Sequence, residues 1–80
     1  MNNEVKNIPP IITKYFLQFA KEDLAEAFAI LIKSLDGDSY YLTDSLVMEG
    51  VLTTELGDEV LEEVQKLTYS DIFEWYTKLR

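Results

Sequence analysis

At 80 residues the chain has room for one hydrophobic core and not for two. With neither cysteine nor histidine it excludes a disulfide scaffold, a thiol nucleophile, an imidazole base and the usual zinc sites. Its formal charge of −8 disfavours direct contact with nucleic acid or an anionic membrane, where phosphate would meet like charge.

In chain order, residues 1–8 read as a polar tail and 9–80 as a single helical domain. Pro9-Pro10 sets up a helix start, since proline is tolerated in the first turn. Ile12, Tyr15, Phe16 and Phe19, then Leu24, Phe28, Leu31 and Leu35, carry helical spacing, but the stripe rotates between the two sets. Either two helices hinged near Ala20–Glu22 or one kinked helix satisfies this pattern. Asp36-Gly37-Asp38-Ser39 ends it, with Gly37 suited to a left-handed C-terminal position.

Tyr40 and Tyr41 are expected in the following connection. Thr43 is the expected N-cap of a short helix, Leu42 and Val47 its hydrophobic staple, and Gly50 its interruption. Thr53 or Thr54 opens the next helix, with Leu56, Val60, Val64 and Leu67 on its buried side. Thr68-x-x-Asp71 reads as a capping box flanked by Leu67 and Ile72, before a helix presenting Ile72, Phe73, Tyr76 and Leu79. The expected fold is all-α, a compact bundle of four or five short helices. The longest apolar run, Ala27 to Ile32, falls far below the ~20 residues of a membrane span. The opening Met-Asn-Asn-Glu has no basic stretch of a signal peptide, so the expected location is cytoplasmic.

The charge is segregated. Nine of the 15 acids (Asp36, Asp38, Asp44, Glu49, Glu55, Asp58, Glu59, Glu62 and Glu63) lie between Lys33 and Lys66 with no base among them. In the helix after Thr53, Glu55–Glu59, Asp58–Glu62 and Glu59–Glu63 are like-charged pairs at i,i+4, each costing about 0.2–0.5 kcal/mol. Such a cluster either docks on a basic partner or is a solvated face that keeps the protein soluble. Asp36 and Asp38 are better explained by a turn and Asp44 by a helix start, and Glu49 stands isolated. A calcium loop built on Asp36 and Asp38 would place Ser45 where the closing glutamate belongs. No nucleophile elbow and no glycine-rich phosphate loop is present. No catalytic residue, metal ligand or cofactor site is therefore assigned, and the chain is expected not to be an enzyme. Trp75 lies well round from the Ile72–Tyr76–Leu79 stripe, so with Tyr40 and Tyr41 it is a candidate apolar anchor; a residue that merely borders the core is the plainer account.

Asp44-Ser45-Leu46 resembles the Asp-Ser-Leu motif of the acyl carrier proteins, which are likewise small, acidic and four-helical. The resemblance extends loosely over residues 42–79, through Glu55-Leu56-Gly57 and Lys66-Leu67-Thr68. It implies a phosphopantetheine arm on Ser45 and an acidic helix that docks basic patches of partner enzymes. The chain departs from that family in its firmly helical residues 22–35, in Leu42-Thr43 before the motif and in Gly50 soon after it. Ile11-Ile12-Thr13 and Gln18-Phe19-Ala20-Lys21-Glu22-Asp23-Leu24 are similar to the opening of phage anti-sigma proteins of the AsiA type, small helical inhibitors.

The main expectation is a non-catalytic acidic binding module, an inhibitor or regulator of the phage or immunity type. Glu55, Asp58, Glu59, Glu62 and Glu63 would dock on a basic surface of a nucleic-acid-handling enzyme, with Tyr40, Tyr41 and Trp75 as anchors. An acyl or peptidyl carrier with Ser45 modified is the alternative, and a homodimer is left open.

Overall fold

Each helix begins or ends where a polar side chain or a glycine satisfies backbone groups that the helix itself leaves unpaired. The computed structural model of the protein describes residues 8–79. Residues 1–7 of the expected tail, Arg80 and the Leu79 side chain lie outside the described residues, while Ile8 is half-buried against the core.

Helix α1 (Pro10–Phe16) starts on Pro9, whose extended backbone leads into Pro10 in the first turn. It stops because Gln18 and Phe19 donate to the carbonyls of Tyr15 and Phe16, three residues back, and the Gln18 amide covers the Lys14 carbonyl at 3.1 Å. Ala20 is extended and a 3-10 turn, Lys21–Asp23, follows before α2 (Leu24–Leu35). Of the two options left by the rotating stripe, the chain therefore adopts two helices. Gly37 closes α2 at φ +105°, with its N–H donating to the Ser34 carbonyl and that of Asp38 to the Lys33 carbonyl at 2.9 Å. This doubly bonded glycine stop matches the expectation.

The next segment corrects the expected connection. Tyr40 already lies in a helix, Tyr41–Ser45 is wound as a π-helix, and α3 (Leu46–Met48) continues it. Asp38 rather than Thr43 supplies the cap, its Oδ1 accepting the Tyr40 N–H at 3.3 Å. The Thr43 hydroxyl donates instead to the Ser39 carbonyl one turn back, the alternative threonine has inside a helix. Asp44 likewise lies within the helix and not at its start. Gly50, at φ +81°, ends the segment, and Val51 donates to the Leu46 carbonyl as Asp38 does to Lys33.

Helix α4 (Thr54–Val64) takes Thr53 as its cap, the threonine oxygen accepting the Leu56 N–H at 3.1 Å. The capping box of α5 (Tyr69–Leu79) forms in full: Thr68 N–H to Asp71 Oδ2 at 3.1 Å, and Asp71 N–H to Thr68 Oγ1 at 3.2 Å. The flanking Leu67 and Ile72 are both buried.

Helix α1 packs on α4, α5 packs on α2, and the π-helical segment sits against both α2 and α4. Gly57 makes the last contact possible, since a Cβ there would stand 3.2 Å from the Leu42 carbonyl oxygen. Aromatic rings link three helices, Phe16 to Phe28 at 4.2 Å and Phe28 to Tyr76 at 4.8 Å between centroids. The Tyr15 hydroxyl ties α1 to α2 by donating to the Ala27 carbonyl at 2.8 Å. The domain is all-α, with no strand among the described residues, and none of the described helices is long and apolar enough to cross a membrane.

Candidate interaction face

Helix α4 buries Leu56, Gly57, Val60 and Val64 and turns Glu55, Asp58, Glu59 and Glu62 to solvent. Those four acids stand at i, i+3, i+4 and i+7, so they form one stripe on the side opposite the buried one. Glu55 lies in the first turn, where the helix dipole favours negative charge. Glu63 is set apart from the stripe: it is half-buried on its flank, 3.9 Å from the Lys66 ammonium. Asp58, Glu59, Leu61, Glu62 and Gln65 border a shallow depression along this face.

The remaining acids of the 36–63 stretch have local partners or positions. Asp36 is the C-cap residue just after α2, Asp38 caps the following helix, and Glu49 is not isolated but accepts the Ser45 hydroxyl at 3.2 Å. Among the described residues no three acids come together as a metal site.

Of the proposed anchors, Tyr40 and Tyr41 are 52% and 40% exposed, on the helical segment that packs against α4. Their rings meet edge to face at 5.3 Å, and the Lys33 ammonium lies 4.5 Å above the Tyr41 ring. This holds Tyr41 in place. Trp75 is a correction: it is 1% exposed and belongs to the core. The buried side of α5 runs through Ile72 and Trp75 with Tyr76 beside them, and Phe73, expected inside, is 57% exposed. Both sets have helical spacing, and the packing of α5 on α2 selects the one that buries the largest ring.

A groove of about 390 Å³ that the sequence pattern does not announce lies between α2 and α5, lined by Ala25, Ala29, Ile32, Phe73 and Tyr76 with Lys33 at its edge. Its only sequence signal is the pair Ala25 and Ala29, one helical turn apart on an outward face. Compared with known protein families, curated proteins and solved structures, the chain matches none.

Proposed function

We propose that the protein is a non-catalytic binding module whose α4 stripe docks on a basic protein surface, acting as an inhibitor or regulator. The observation that carries this reading is the outward row Glu55, Asp58, Glu59 and Glu62, which repels itself in the free protein. A cationic partner would convert that repulsion into attraction and would be drawn in faster at low salt. Carboxylates at this spacing along a rigid helix offer a basic channel some of what phosphates offer, which favours a nucleic-acid-handling enzyme as the target. An inhibitor of the phage or immunity type would present such a face to its target. Tyr40 and Tyr41, on the neighbouring helix, add apolar contact.

The test compares wild type with an Asp58→Lys/Glu59→Lys/Glu62→Lys variant in affinity capture from the native host or its prey. Proteins held by the wild type should be lost by the variant, and their binding should weaken as salt rises. Partners retained equally by both proteins, without salt dependence, would end the electrostatic reading. Exposed positions are chosen so that the fold survives the change; Glu63 is left alone because of its Lys66 contact.

A further inference from the structure

We infer that the α2–α5 groove is a self-association surface, on which a second copy of the chain docks with α2 crossing α2 about a two-fold axis near Ala29. The outward face of α2 carries Ala25, Glu26, Ala29 and Lys33, all exposed. Its centre is therefore small, one end is acidic and the other basic. An antiparallel crossing at Ala29 puts Lys33 of each copy beside Glu26 of the other, because both stand three or four residues from the axis on opposite sides. The contact is isologous, so the Lys33–Glu26 pair forms twice, once on each side of the axis. Small residues at the crossing let the two backbones approach closely, while Phe73, 57% exposed, and the half-buried Ile32 and Tyr76 supply apolar surface that a docked helix removes from water. Glu22 and Asp36 lie further out, where crossed helices have diverged.

The charge distribution favours this face over others for a second copy. The residues lining the groove include one lysine and no acid, whereas the α4 stripe would set two anionic rows against each other. The groove shares no residue with that stripe, so a dimer leaves both acidic faces open. A domain of 80 residues without disulfides also has reason to bury more surface by association.

Sedimentation equilibrium of the full chain, from micromolar to millimolar concentration, tests the inference. The wild type should be a dimer in reversible equilibrium with monomer. Ala29→Glu, which sets two carboxylates at the axis, should abolish the dimer while circular dichroism stays unchanged. Lys33→Glu and Glu26→Lys should each weaken self-association roughly tenfold or more. An equimolar mixture of those two variants should recover a heterodimer, because each new charge then faces its opposite. A wild type that is monomeric throughout, a dimer indifferent to Ala29→Glu, or a mixture no stronger than its components would each overturn the proposal. In those cases the groove serves another occupant or none.

Discussion

Tyr15 shows how one side chain couples stability to pH. Its hydroxyl donates to the Ala27 carbonyl, and burial, reinforced by the charge of nearby Glu26, pushes its pKa well above the usual tyrosine value. The folded state thus resists ionisation that the unfolded chain accepts near the ordinary value of 10.0. The contribution is complete below that pH and is lost as pH rises beyond it. Unfolding titrations of the wild type should show stability falling above about pH 10. Tyr15→Phe should flatten that slope and cost about 0.5–1.5 kcal/mol at neutral pH, the worth of one hydrogen bond, because the Ala27 carbonyl keeps its place inside α2. Trp75→Ala should cost more, about 3–5 kcal/mol in urea denaturation, a large share of what so small a domain possesses. Tyr40→Ala, at an exposed site, should stay within about 0.5 kcal/mol. Ser45 tests the carrier alternative. Its hydroxyl is bonded to Glu49 inside a helix, and intact mass after co-expression with a phosphopantetheinyl transferase should show no added arm.

The helices themselves are governed by their ends. Thr53 and Thr68 each accept an N–H that α4 or α5 cannot satisfy internally, so Thr53→Ala and Thr68→Ala should each lower stability by about 1 kcal/mol. Gly57 opposes the usual helix rule. Replacing a helical glycine by alanine gains about 1 kcal/mol in propensity, but here the new Cβ would press on the Leu42 carbonyl, which the surrounding backbone holds. Overpacking costs about 1–3 kcal/mol, so Gly57→Ala should be neutral to destabilising by about 1–2 kcal/mol in thermal melts. A clear gain in stability would show that α4 can move off the π-helical segment.

For the whole molecule, the acidic stripe sets stability against binding. Glu62→Lys replaces one i,i+4 repulsion with Asp58 by an attraction, and should raise the unfolding free energy by about 0.5–1 kcal/mol. Under the docking proposal the same change lowers affinity for a basic partner. Added salt should stabilise the free wild type and weaken that complex, since screening acts on both. A residue kept at a cost to the fold and needed for an interaction is what such a pair of measurements would reveal.

Much of this architecture was already readable in one dimension, wherever a short-range rule decided it. Pro10, Gly37, Gly50 and the Thr68–Asp71 box act within four residues of themselves, so the helix boundaries around them follow from local chemistry. The outward row on α4 follows equally from spacing, because burial of Leu56, Val60 and Val64 at every fourth residue turns Glu55, Asp58, Glu59 and Glu62 to the opposite side. Competition between local options was not readable. Asp38 and Thr43 are both good caps, and the contact of Leu42 with the core and Gly57 with the Leu42 carbonyl accompanies a start at Asp38. Trp75 and Phe73 are both large and both helically spaced; only the position of α5 against α2 sends the indole inward and leaves the phenyl ring in water. The helix ends set by Pro10, Gly37, Gly50 and the Thr68–Asp71 box, and the charge segregation, belong to the sequence by itself, since they depend on neighbours along the chain. Which aromatic faces solvent, and the groove it borders, were decided by tertiary packing, because they depend on neighbours that the chain brings together only when it folds.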